Sequence, residues 1–422
     1  MTLEFKELVP QIAKMGSMLE QLDFDLGDRL EKAFERFEQA TDLDRVWERI
    51  DWVRQSDVSG YRGAAPMDTP DAEPVNLIVP APEPPPSATL IAVDGSQIYP
   101  NERQPLHYFL LNMGALVYHH GSERTPDALT SPRLFFHKDH VHDRHGRIIR
   151  NREVDDRRTI AEIHYLAEQS WHYRDEARPL VALFDNSLLV QAGGGDPREN
   201  AIFFRDYMAG LVRVRDALAT LAGYVDAPSR SERFIRLLAL LGLESPDQLS
   251  SDRRPAGDLE GLGDKIFFER VLAPGERSAI MVQNSPRNLE FKERNVNFEI
   301  AFFYLNVGSE FTPHVVRIDI PVWVARDQLA VEELHGLLLA QCRMQGRNPY
   351  PYALTRAHEQ AVVSKDDQRK VEALIKAQVR VSTDIPIDSL YFSAKTNSKF
   401  LLNGEKRRFD TRSVNRNHPQ SG

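Results

Sequence analysis

Residues 179–185, PLVALFD, leave little freedom in the choice of architecture. Every side chain before the final Asp185 is apolar, so no alternate position can turn toward water and the segment reads as a strand buried on both faces. Such a strand belongs at the centre of a sheet flanked by helices, and the flanking sequence holds both kinds of element. A helix is predicted over 155–176, strands over 88–94, 106–118 and 132–137 with a hairpin turn at DRHG, and helical texture over 199–243. Further strands fit 278–283, 298–306 and 314–324, and helices fit 327–344, 352–363 and 366–380. The fold class is α/β.

The ends differ in texture from this core. Apolar residues at helical spacing (Leu3, Leu8, Ile12, Met15, Leu19, Leu22, then Leu30, Phe34, Phe37) predict two amphipathic helices over 3–54, an N-terminal arm (1–55) suited to packing or dimerisation. Eight prolines fall between 66 and 86. Proline at that density opposes both helix and sheet pairing, so 56–87 is expected to be a linker or surface-hugging segment. One large domain is expected over 88–400, and 401–422 reads as a basic mobile tail.

Charge and cysteine narrow the function classes. With 53 Lys and Arg against 62 Asp and Glu, the net charge of −9 argues against a protein that coats nucleic acid non-specifically. Local patches can still grip phosphate, because screening confines each charge to about 8–10 Å. Arg152, Arg157 and Arg158 form one such group, and Lys406, Arg407, Arg408, Arg412 and Arg416 another. The single cysteine, Cys342, excludes a disulfide framework and a cysteine-based zinc site. No run of 18 apolar residues is present, and the start, MTLEFKELVPQIAKMG, has no secretory pattern, so no membrane span and a cytoplasmic location are expected.

Two strands end alike. LIAVDGS and VALFDNSL each lead apolar residues into Asp, a turn-permissive Gly or Asn, and Ser, which can bring Asp94 and Asp185 side by side. Paired carboxylates repel unless a divalent cation lies between them, so the pair points to Mg²⁺ or Mn²⁺; the bland alternative is that each Asp caps a turn. Glu162 lies four residues after Arg158 on the predicted helix, where a salt bridge is the plain reading. Tyr350 stands in a proline-flanked turn and His358 on the next helix, where a lone His is ordinarily a packing residue.

In order and spacing, AVDGS, RRTIAE, LVALFDNSL, GYVDAPSRS, LAPGERSAI, VVRIDIPVWVA and NPYPYALTRAHEQAVVS resemble the NurA nuclease family over most of 88–382. The resemblance implies an RNase H-like core with a mixed central sheet, Mn²⁺-dependent cleavage of single- or double-stranded DNA from an end in the 5′-to-3′ direction, a homodimer, and a HerA-type hexameric ATPase as partner in end resection. By position it implies Asp94, Glu162 and Asp185 as acidic metal ligands, His358 as ligand or proton-transfer residue, and Tyr350 as a tyrosine near the scissile phosphate. Asn186 departs from the glycine usual there, and Glu168 competes with Glu162 if the helix register shifts. Two divalent cations about 3.5–4 Å apart suit phosphodiester hydrolysis, and oxygen ligands with one imidazole suit Mn²⁺ or Mg²⁺.

Other readings are weaker. HKDHVHDRH offers His137, His140, His142 and His145 for zinc, without a cysteine to close the set. GGGDPREN lacks the Gly-Lys-Ser/Thr of a phosphate loop and reads as helix capping. Ser96 and Ser187 lie outside any Gly-x-Ser-x-Gly elbow, which disfavours a serine hydrolase using His358. The rival of a different class is a DNA-binding adaptor of the ATPase that cuts nothing.

Overall fold

A computed structural model describes residues 5–56, 62–102, 106–193, 196–226, 228, 231–249 and 256–382, except the side chains of 17–25, 296, 380 and 382. The predicted tail at 401–422 lies outside these residues. Eleven strands form one mixed sheet: β1 (Ala64–Pro66), β2 (Ile78–Val79), β3 (Ala88–Ile98), β4 (Phe109–His120), β5 (Asp127–Phe135), β6 (Leu180–Phe184), β7 (Thr220–Val225), β8 (Arg277–Ser278), β9 (Met281–Gln283), β10 (Ile300–Asn306) and β11 (Val315–Pro321). Along the sheet the order is β1-β9-β10-β11-β7-β6-β3-β4-β5, with β2 and β8 off this path. β3, β6 and β7 run parallel, while β11 and β10 continue the sheet antiparallel.

The apolar sequence of β6 has the expected outcome: all five of its residues are buried, as are all seven of β10 and of β11. Two compact units divide the chain. The larger draws on the described residues within 1–96, 111–132 and 155–362, and the smaller on those within 97–110, 133–154 and 363–382. In the larger unit, Ala33 and Phe37 of the helix Phe5–Gln39 are buried, and Phe37 meets Phe234 and Phe267 edge-on. In the smaller unit, Ile98, Tyr108 and Leu110 pack with Val363, Val371 and Ile375. Among the described residues no helix is long and apolar enough to cross a membrane.

Two expectations need correction. TLAGYV at 220–225, within the span of helical texture, is strand β7; its Ala, Leu and Gly carry little β signal, and burial between β6 and β11 decides its conformation. The proline-rich stretch also takes part in the sheet, since β1 pairs with β9 and β2 with β8. Both strands are short, β1 lies at the sheet edge, and Pro66 and Pro80 fall at or just beyond strand ends, where a missing N–H is tolerated. Two helices occupy the predicted arm, Phe5–Gln39 and Leu43–Gln55, but the break falls after Gln39 rather than between Leu22 and Leu30, so the positions from Leu8 to Phe37 all lie on the first helix. Asp196 caps the helix Pro197–Asp216 as expected of GGGDPREN, its side chain accepting from the Arg198 amide.

Candidate active site

The parallel register of β3 and β6 builds the site. Val93 is opposite Phe184; Asp94 follows inside β3, which runs on to Ile98 rather than ending at Asp94 as expected, while Asp185 is the first residue past β6, and both line one cleft of about 360 Å³. The cleft wall also includes Glu162, from the helix Asn151–His172. Gly95 makes this approach possible: a Cβ there would fall 2.6 Å from Glu162 Oε1, 2.9 Å from Met113 Cε and 3.0 Å from Arg158 Cγ. Any larger residue would push Glu162 away from Asp94. Glu168 is exposed and does not line the cleft. Six residues at about 100° each turn it about 240° from Glu162, so the two glutamates do not share a face and Glu162 is the one that faces the aspartates.

Tyr350 and His358 enter from the C-terminal side. The Tyr350 hydroxyl donates to Asp185 Oδ1 at 2.5 Å, and the ring meets Tyr224 edge-on with centroids 5.0 Å apart. His358, on the helix Tyr352–Ala361, places Nδ1 2.6 Å from Asp94 Oδ2. The end of that helix is tied down: Ser96 Oγ donates to Ala361 O at 2.5 Å, and Asn112 Nδ2 donates to the same oxygen at 2.8 Å. Thus all five predicted residues meet in one region, although 264 positions separate Asp94 from His358.

Electrostatically the site is under tension. Burial pushes the Glu162 carboxyl up to about 8; Arg158, whose Nε lies 3.2 Å from Oε1, opposes this, while the charges of Asp94 and Asp185 add to it. Burial likewise raises Asp185, with the Tyr350 hydrogen bond opposing and Asp94 reinforcing. The Tyr350 hydroxyl is raised by burial and by Asp185, so it keeps its proton and acts as a donor. Three carboxylates share a cleft with one arginine close to Glu162, and none of the described residues donates to Asp185 Oδ2. This donor set fits a hard divalent cation, which would relieve the repulsion. Among the described residues no three His, Cys, Asp or Glu side chains are gathered closely enough to hold an ion as they stand.

The rival sites fare differently. Ser187 Oγ donates to Asp319 Oδ2 at 2.6 Å and Ser96 Oγ to Ala361 O, so both hydroxyl protons are committed to structure. The histidine-rich segment brings His142 Nε2 to 3.3 Å from His107 Nδ1, a residue outside HKDHVHDRH, and no third ligand joins them among the described residues. Asp319 is a residue that sequence reasoning misses. Its signal is RID within an otherwise apolar strand, since charges in a buried strand need partners.

Residues 88–363 match the family model of the NurA domain, more than half of the 422-residue chain. The chain belongs to the NurA family. All five residues of the cleft region fall inside the NurA match, while the helical arm and the proline-rich segment fall outside it. The crystal structure of the NurA nuclease from Sulfolobus solfataricus is similar at 12% identity and a TM-score of 0.49, over 90% of this chain and 100% of that one. No curated protein matches this NurA chain.

Proposed function

We propose that this NurA chain is a DNA nuclease that hydrolyses phosphodiester bonds at DNA ends, using Mn²⁺ or Mg²⁺ held by Asp94, Glu162, Asp185 and His358. The observation that carries the reading is the meeting of Asp94, Asp185 and Glu162, from two adjacent parallel strands and a helix, in one cleft. Family membership is the basis for reading the core as RNase H-like, and a mixed sheet in which β3 and β6 run parallel, with Asp94 inside β3 and Asp185 just past β6, supports that reading. Family membership supplies the substrate class and the further expectations: 5′-to-3′ polarity, a homodimer, and a HerA-type hexameric ATPase that moves the DNA.

Each side chain then has a task. When bound, divalent cations supply charge neutralisation for the phosphate and a more acidic water. Asp94, between His358 and the Gly95 amide, which donates to its Oδ1 at 2.7 Å, is held in one orientation. Asp185 is held through Oδ1 by Tyr350, which leaves Oδ2 for a ligand. With Nδ1 of His358 engaged by Asp94, Nε2 is the atom that can ligate a cation or pass a proton to the leaving oxygen. Arg158, with Nε 3.2 Å from Glu162 Oε1, favours the charged form of Glu162 that a cation would need.

The test is direct. Purified full-length chain is incubated with end-labelled single- and double-stranded DNA, with Mn²⁺ or with chelator. Cleavage that requires Mn²⁺ and vanishes in Asp94→Asn is expected; metal-independent DNA binding with no cleavage under any condition would leave the adaptor reading instead.

A further inference from the structure

Asp319 is a buried carboxylate, 1% exposed, in a strand whose seven residues are all buried. Its charge is balanced by Arg317 on the same strand: Nε donates to Oδ1 at 2.8 Å, while Nη2 reaches Oδ2 only at 3.4 Å. The closer partners of Oδ2 lie on another element. It accepts the Ser187 hydroxyl at 2.6 Å and the Leu188 amide at 3.2 Å. Both donors belong to the turn that directly follows Asp185.

The sheet register explains how a side chain of β11 reaches that turn. Phe184 of β6 is opposite Gly223 of β7, and Gly223 is opposite Asp319 of β11, so the three form one row across the sheet. A Cβ at Gly223 would lie 2.5 Å from Asn186 O and 2.9 Å from Leu188 Cγ. The missing side chain lets the turn fold back over β7 and meet Asp319. Ser187 Oγ also accepts the Leu189 amide at 3.2 Å, and Tyr207 donates its hydroxyl to Leu188 O at 3.1 Å. The backbone of Asp185 is therefore clamped on both sides, by the β6 ladder at Phe184 and by Asp319 at residues 187–188.

We infer that Asp319 is a positioning residue for the candidate active site: through Ser187 and Leu188, over the gap left by Gly223, it sets where the Asp185 carboxylate stands. The ionised state this requires is consistent with its surroundings, since burial opposes the charge but Arg317, Arg233 and the Ser187 hydrogen bond hold the carboxyl below its ordinary range. The inference rests on the reading of Asp185 as a cation ligand.

It is tested by Mn²⁺ binding to full-length protein without DNA, followed through the electron paramagnetic resonance signal of free Mn²⁺, with cleavage measured in parallel. Asp319→Asn keeps the shape but removes the charge, and a loss of about tenfold in Mn²⁺ affinity is expected, the scale seen when partners of metal ligands are removed. Ser187→Ala shifts affinity in the same direction and Ser187→Thr, which keeps the hydroxyl, restores it. Glu73→Gln weakens a paired arginine outside the cleft, Arg277, and is expected to lower thermal stability without changing Mn²⁺ affinity. Wild-type Mn²⁺ affinity in both Asp319→Asn and Ser187→Ala overturns the inference while leaving the nuclease reading in place. Should Asp319→Asn fail to fold, Ser187→Ala decides alone. A wild-type chain that binds no Mn²⁺ overturns the cation reading, and this inference with it.

Discussion

In the proposed chemistry three carboxylates work beside a tyrosine and a histidine, and single residues among them make separate predictions. Asp94→Asn should lower cleavage to about a hundredth or less while circular dichroism stays unchanged, since even outer partners of metal ligands are worth about 10–100-fold. Tyr350→Phe removes the donor that favours the charged form of Asp185. The Asp185 carboxyl then rises further, so the acid limb of the pH–rate profile should move to higher pH; an unmoved limb would separate Tyr350 from the titration of Asp185. Glu162 predicts an unusual stability profile. Its folded carboxyl titrates near 8 and its unfolded one near 4.5, so between these values the folded chain keeps a proton that the unfolded chain has lost. The Glu162 contribution to metal-free stability therefore falls as pH rises through that window, by an amount on the order of a few kcal/mol. Thermal unfolding with chelator at pH 5 and pH 8 should show the fall in the wild type and little of it in Glu162→Gln.

At the scale of elements, two glycines set distances that no side chain could. Gly95 admits Glu162 to β3, and Gly114 of β4 admits the helix that carries His358: a Cβ at Gly114 would lie 2.3 Å from Ala361 N and 2.5 Å from Ala357 O. Gly114→Ala must push backbone against backbone, and overpacking of this kind costs about 1–3 kcal/mol. A drop of that size in chemical denaturation, together with weaker cleavage as His358 moves from Asp94, is expected. The same elements show what the sequence discloses and what it conceals. Asp94 and Asp185 are legible because each ends an apolar run, a local pattern that survives any tertiary arrangement. β7 is not legible, because TLAGYV owes its strand conformation to partners far along the chain in both directions, Leu183 and Asp319 among them. Nor is Asp319, whose partners Ser187 and Leu188 become neighbours only once β7 lies between β6 and β11.

At the scale of the whole chain, an acidic molecule has to admit a polyanion. Removal of residues 404–422, with their five Lys and Arg at 406, 407, 408, 412 and 416, should weaken DNA binding. The slope of log affinity against log salt should become shallower by about 0.9 for each double-stranded phosphate that the tail no longer neutralises; an identical slope would relieve the tail of any part in binding. The arm and the proline-rich segment lie outside the NurA match, yet β1, β2 and Phe37 are part of the sheet and core. Their truncation should lower the melting temperature.

The crowding of Asp94, Asp185 and Glu162 in one cleft has a thermodynamic corollary. Left bare, the cleft repels phosphate; once neutralised, it attracts it. Ion and nucleic acid should thus bind as heterotropic partners, each tightening the other by the same factor, so that DNA lowers the Mn²⁺ concentration at which the protein is half saturated.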